Sequence, residues 1–92
     1  GYRIDSPLPV PPVFTLIAER GGVDETELWE VFNMGCGFCV VVPQADAHQT
    51  VELLGRHHAG TAVIGTITDQ NGLVELPQAG LTGRKDEGFR AA

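Results

Sequence analysis

Four prolines in the six residues "PLPVPP", Pro7–Pro12, restrict the chain more than any other short segment. Proline fixes φ and lacks a backbone N–H, so this segment can be neither the interior of a helix nor a central strand. The last of the four, Pro12, suits the first turn of a helix, where the missing N–H costs nothing. The apolar residues that follow fall on one helical face, and Gly21-Gly22 predicts that this helix ends near Arg20.

The rest of the chain alternates between strand and helix patterns. "YRIDS" predicts a short first strand, and Asp24 with Glu27 forms the pattern of a capping box before a second helix. The run "FCVVVP" is β-branched and apolar on both faces, which predicts a central strand. A third helix over "DAHQTVELLGRHH" is followed by a strand "TAVIGTITD", a turn "DQNG" and a returning strand "LVEL".

This order, β-α-α-β-α-β-β, predicts an α+β fold. We expect a two-layer α/β sandwich in which a small, mostly antiparallel sheet carries the helices on one face. Beyond Leu76 the apolar pattern disappears, so residues 77–92 are expected to form a disordered C-terminal tail after a domain of residues 1–76. The chain starts at Gly1 without a Met, as expected for a piece of a longer protein.

The charge and the cysteine content narrow the possible partners and location. Twelve acidic and six basic residues give a net charge of −6, which argues against nucleic acid or an anionic membrane as a partner. No apolar run approaches the roughly 20 residues of a membrane span. Two cysteines are too few for a secreted disulfide framework, so a cytoplasmic location is expected.

Cys36 and Cys39 form a C-x-x-C motif, which proteins use in redox and metal sites. A redox pair normally begins at a helix N-terminus, whereas this pair follows a helix and enters a predicted strand. In a strand the two Cα atoms would lie roughly 10 Å apart, because each residue adds about 3.3 Å. A disulfide requires about 4.4–6.8 Å. We therefore expect two reduced, largely buried thiols without metal; a stand-alone thiol or metal module is the alternative.

Neither the histidines nor the glycines supply a recognisable reactive site. His57 and His58 are adjacent, whereas the two histidine ligands of a zinc finger are spaced by three to five residues. We therefore expect both histidine side chains to be solvated and to form no metal site. Gly35 and Gly37 follow a helix, whereas the glycines of a phosphate-binding loop precede one. Their expected role is to let the backbone leave the helix close to a neighbouring element. No catalytic residue can be assigned from the residues alone.

From Tyr2 to Leu76 the chain resembles the C-terminal part of the phosphoribosylformylglycinamidine cyclo-ligase (AIR synthetase) family. The resemblance is densest over "PVPPVFTLIAERGGVDETELWEVFNMGCGF", which contains the pattern F-N-x-G-x-G at Phe32–Gly37. "AVIGTI", Ala62–Ile67, is similar to the penultimate strand of the family. The resemblance implies a ligase of purine biosynthesis that closes formylglycinamidine ribonucleotide to 5-aminoimidazole ribonucleotide with ATP.

The resemblance also implies where the cofactors and partners belong. ATP and Mg²⁺ would be held mainly by an N-terminal ATP-binding domain, which also forms the homodimer, and neither is expected on this chain. The piece alone would therefore be inactive. Asn33, Gly35 and Gly37 are implied to bind substrate or line the interdomain cleft, with capping of the second helix as the alternative role of Asn33. A small α+β regulatory or interaction domain, or another ATP-using member of the superfamily, remains the alternative function.

Overall fold

The structure, a computed structural model, describes all residues from Gly1 to Ala92. It is an α+β fold, as the sequence predicts, with three α-helices and one mixed five-stranded sheet. The helices are α1 Pro12–Gly21, α2 Glu25–Val31 and α3 Ala47–Gly55, and the strands are β1 Tyr2–Arg3, β2 Thr66–Ile67, β3 Leu73–Leu76, β4 Leu81–Arg84 and β5 Gly88–Ala91. Short 3-10 turns, Gln44–Asp46 and Pro77–Ala79, precede α3 and β4. None of the helices has the length and apolar character that a membrane crossing requires.

The strand order of the sheet is β2-β1-β3-β4-β5. β1 runs parallel to β3, and every other neighbouring pair is antiparallel. The predicted hairpin between "TAVIGTITD" and "LVEL" is therefore wrong, because β1 lies between β2 and β3. The turn itself is present, with Gly72 at φ 75°, which a glycine adopts without strain. A pattern read along the chain misses a strand that is inserted from a distant part of the sequence.

Residues 77–92 continue the sheet, so the expectation of a disordered tail is contradicted. β4 pairs with β3 from Leu73↔Arg84 to Leu76↔Leu81, and β5 pairs with β4. Leu81 is only 5% exposed. Two glycines of this segment have a positive φ: Gly80, with φ 67°, directly precedes β4, and Gly88, with φ 72°, opens β5 after a turn.

The apolar run "FCVVVP" is not a strand in the structure. No backbone hydrogen bond joins residues 37–42 to the rest of the chain. Phe38 is 85% exposed and Val41 is 66% exposed. β-branched residues favour a strand only where a neighbouring strand and a packed face are available, and this chain supplies neither beside the run. We call residues 38–42 the open segment.

The helix boundaries follow the local signals of the sequence. Pro12 opens α1, and Gly22 ends it in the left-handed conformation at φ 63°. Asp24 precedes α2 in an extended conformation, but its side chain makes no capping hydrogen bond, so the predicted capping box does not form. The apolar core is small and lies between α2, the turn after it and the strands β3 and β4; its buried side chains are Leu28, Met34, Leu76 and Leu81.

Glu30 ties α2 to the C-terminal strand. Its Oε1 accepts a hydrogen bond of 2.6 Å from the backbone N–H of Phe89 in β5. Replacing Glu30 with alanine is expected to lower the free energy of unfolding by about 1–2 kcal/mol, because a charge-assisted hydrogen bond is lost. Urea denaturation would measure this change, and amide hydrogen exchange at Phe89 should accelerate. Glu27→Ala, on the same helix and without such a bond, is the control; equal losses for the two variants would contradict the role of Glu30.

Candidate functional site: the turn after α2

The turn that follows α2 is built from "FNMGCG", Phe32–Gly37. Phe32 leaves the helix in an extended conformation, with φ −104° and ψ 153°. Asn33 Oδ1 then accepts a hydrogen bond of 2.8 Å from Gly35 N–H, and the Asn33 carbonyl accepts one of 3.0 Å from Cys36 N–H. Such side-chain bonds to a backbone group two residues on are typical of asparagine in turns. Asn33 therefore closes the turn with its oxygen and does not cap α2.

The turn packs directly on the proline-rich segment. A Cβ at Gly35 would lie 2.5 Å from Pro11 Cδ and 3.1 Å from the carbonyl oxygen of Pro9, and the φ of Gly35 is 99°. Only glycine adopts this conformation without strain and tolerates this approach. The rings of Phe14 in α1 and Phe32 pack beside the contact, with centroids 5.7 Å apart at an interplanar angle of 54°. The Pro-rich entry, the start of α1 and the turn thus form one packed unit.

Asn33, Gly35 and Gly37 lie together at an exposed position of this turn. The amide nitrogen of Asn33 and the backbone N–H of Gly37 make no hydrogen bond within the chain, so both can donate to a ligand. Nothing lies within 4 Å of the position of a Cβ on Gly37. Two shallow grooves of about 250 and 590 Å³ occur elsewhere, and none of the three residues lines either of them. On this chain the turn is an open surface with donor groups.

The two thiols lie side by side just after the turn. Cys36 Sγ and Cys39 Sγ are 3.4 Å apart, and neither residue is in a disulfide. The expected separation and burial are therefore both wrong: Cys36 is half-buried and Cys39 is exposed. Both expectations depended on a strand at this position, whereas the backbone here is irregular. The hydrogen bond with Cys36 raises the pKa of the Cys39 thiol, with smaller contributions from partial burial and from the charge of Cys36.

The histidine side chains and the carboxylates do not come together in a second site. His57 and His58 follow α3 as exposed residues, in agreement with the prediction. His48 Nε2 lies 3.4 Å from Glu52 Oε1 one turn along α3, and both side chains are mostly exposed. No group of three or more His, Cys, Asp or Glu side chains comes together. The turn after α2 is thus the place where the sequence-predicted residues and free polar groups coincide.

Comparison with known proteins identifies the class to which this turn and sheet belong. Residues 1–76 match the family model of the AIR synthase related protein, C-terminal domain, and the chain belongs to this family. The phosphoribosylformylglycinamidine cyclo-ligase of Methanothermobacter thermautotrophicus is 44% identical over 77 residues, which cover 83% of this chain and 21% of that protein. The enzyme of the same name from Methanococcus maripaludis is 40% identical over 68 residues, covering 74% of this chain and 20% of that protein.

A third relative has the same name and a slightly lower sequence identity to this chain. The cyclo-ligase of Shouchella clausii is 38% identical over 75 residues, covering 80% of this chain and 22% of that protein. The chain thus spans about a fifth of the length of the curated relatives that it matches. No solved structure matches the chain.

Proposed function

We propose that this chain is the C-terminal part of a phosphoribosylformylglycinamidine cyclo-ligase. The enzyme would close formylglycinamidine ribonucleotide to 5-aminoimidazole ribonucleotide with ATP, in purine biosynthesis and in the cytoplasm. The observation that carries the proposal is the match of residues 1–76 to the AIR synthase related C-terminal domain, together with cyclo-ligase relatives that are 38–44% identical. Residues 1–76 would be the part that belongs to this domain.

In this proposal the chain supplies a surface of the reaction cleft and not the nucleotide site. ATP and Mg²⁺ need a phosphate-binding loop and clustered oxygen ligands. The glycine pair of this chain follows a helix, and its carboxylates form no cluster of three. The donor groups on this chain therefore do not fit either cofactor, and we assign both to an N-terminal ATP-binding domain that also forms a homodimer.

Asn33 would act at the cleft between the two domains. Its Oδ1 is held by Gly35 N–H, which fixes the amide plane, while the amide nitrogen stays free to donate to a substrate oxygen. Gly35 lets the turn approach the proline-rich segment, and Gly37 leaves its own N–H uncovered. In this proposal the turn-closing oxygen of Asn33 orients its ligand-facing nitrogen.

The proposal is tested by exchanging domains with a relative. We expect the cyclo-ligase of Methanothermobacter thermautotrophicus to keep its activity when its matching segment is replaced by this chain. In that chimera Asn33→Ala is expected to lower kcat/KM about tenfold or more, as for the loss of one oriented hydrogen bond to the substrate. Asn71→Ala, which changes an exposed asparagine in the turn between β2 and β3, is the control.

The outcomes separate the parts of the proposal. A folded chimera without activity would contradict the assignment to the cyclo-ligases, and unchanged kinetics for Asn33→Ala would contradict the role of Asn33. The 92-residue chain alone is expected to show no turnover and no ATP binding in calorimetry with Mg²⁺. Micromolar ATP binding by the chain alone would contradict the placement of the nucleotide site on another domain.

A further inference from the structure

The Cys36–Cys39 pair has a geometry that the proposed ring closure does not use. Its two sulfur atoms are 3.4 Å apart, in contact, whereas bonded sulfur atoms are about 2.05 Å apart. Closing the gap needs a shift of little more than an ångström. Both side chains reach solvent, Cys36 in part and Cys39 more fully. The pair is thus close enough to join and open enough to meet a reagent.

The backbone around the pair is free to make that shift. Residues 37–42 have no backbone hydrogen bond to the rest of the chain, and nothing surrounds the Cβ position of Gly37 between the two cysteines. Cys36 N–H is anchored to the Asn33 carbonyl at 3.0 Å, so one end of the pair is held and the other end can move. Bond formation therefore breaks no strand pairing and displaces no core side chain.

We propose that Cys36 and Cys39 form a thiol–disulfide exchange site that reacts with small-molecule disulfides of the glutathione type. The thiolate of one cysteine attacks the reagent, forms a mixed disulfide and releases one reduced thiol. The second cysteine then attacks the mixed disulfide, closes the Cys36–Cys39 bond and releases a second thiol. Two electrons and two protons pass from the cysteine pair to the reagent, so each disulfide consumed gives two small thiols.

Cys36 is the attacking residue and Cys39 the resolving one. The raised pKa of Cys39 keeps its proton in place at neutral pH, and its Sγ lies 3.4 Å from the Sγ of Cys36, within reach of a mixed disulfide formed there. The thiolate is the nucleophile in exchange reactions, so Cys39, which holds its proton more strongly, reacts second. Disulfides of reducing compartments are usually transient or redox-sensing, and a solvent-accessible pair in an irregular segment fits that class.

The test is incubation of the 92-residue chain with graded ratios of oxidised to reduced glutathione, followed by intact-mass spectrometry. The expected product is a monomer that has lost two hydrogen atoms and both titratable thiols, and that dithiothreitol restores. The equilibrium constant should exceed that of the same chain in urea by about tenfold, because the fold holds the sulfur atoms together. A chain with two bound glutathiones, a cross-linked dimer or equal constants in buffer and urea would overturn the proposal.

Two serine variants test the order of the steps. Cys39→Ser is expected to accumulate a mixed disulfide with one glutathione on Cys36, because no resolving thiol remains. Cys36→Ser is expected to form a mixed disulfide on Cys39 at least as fast as the unaltered chain does at that residue, because Cys36, which raises the pKa of the Cys39 thiol, is absent. Acid quenching of the unaltered chain at early times should find the first glutathione on Cys36; a first glutathione on Cys39 would overturn the assignment of Cys36 as the attacking residue.

Discussion

Replacing Gly35 with alanine is expected to lower the free energy of unfolding by about 3 kcal/mol. A residue other than glycine held at φ 99° is strained by about 1–3 kcal/mol, and overpacking adds a similar amount. The added Cβ would lie 2.5 Å from Pro11 Cδ, which belongs to a ring fused to the backbone and cannot rotate away. Since small domains are stable by only about 5–15 kcal/mol, urea denaturation should show a large shift of the midpoint.

Gly37→Ala is the matched control for this prediction. It lies two residues further along, has no positive φ and has nothing near its Cβ position, so a change within about 0.5 kcal/mol is expected. Pro11→Ala provides a second check, because removing the ring should reduce the effect of Gly35→Ala in a double-mutant cycle. Equal effects at Gly35 and Gly37 would contradict the packing of the turn on the proline-rich segment.

The second large effect is expected at Gly65, just before β2. A Cβ there would overlap the carbonyl oxygen of Arg3 and lie 2.8 Å from the Cα of Ile4, so only backbone movement could relieve it. Gly65→Ala should separate β1 from β2 and break the 3.0 Å hydrogen bond from Ser6 N–H to the Ile64 carbonyl. We expect a loss of about 3 kcal/mol or more, as for severe overpacking.

Hydrogen exchange at the Ser6 amide and urea denaturation would measure this loss. Gly55→Ala is the control, because Gly55 ends α3 with open space around its Cβ position and no positive φ. Alanine there should be neutral or stabilising by up to about 1 kcal/mol, since it restricts the unfolded chain. If Gly65→Ala left Ser6 protected, the close approach of β1 and residue 65 would be refuted.

The sequence predicted the features that depend on neighbouring residues. Pro12 and Gly22 delimit α1 by their own backbone preferences, and Gly72 marks a turn for the same reason. The open segment was wrongly predicted to be a strand. Its β-branched residues favour strand pairing, but they do not provide a neighbouring strand with which to pair. The C-terminal hairpin was missed because β4 and β5 are short and contain few large apolar residues, so they give no apolar pattern.

In the candidate site, too, some features depend on neighbouring residues and others on contacts between distant segments. The resemblance to the cyclo-ligase family, carried in part by the pattern F-N-x-G-x-G, singled out Asn33, Gly35 and Gly37 in the turn after α2. Gly35 approaches Pro11, which lies 24 positions earlier in the chain, and no local sequence pattern predicts this contact. The contact between Cys36 and Cys39 was excluded by assuming an extended backbone, so an error in one strand assignment became an error in chemistry.

The position of β1 between β2 and β3 has a consequence for the order in which the sheet forms. Arg3 Nε meets Glu75 Oε2 at 3.2 Å across a separation of 72 residues, whereas β3, β4 and β5 are joined by short turns. The chain entropy lost on closing a loop grows with the logarithm of the loop's length. The entropic free-energy cost of closing the C-terminal hairpins is therefore smaller than that of pairing β1 with β3, by roughly 2–3 kcal/mol. During synthesis Tyr2–Arg3 is made before either of its partner strands, β2 and β3. We therefore expect the hairpins of β3, β4 and β5 to form before β1 joins the sheet, against the order in which the strands are synthesised.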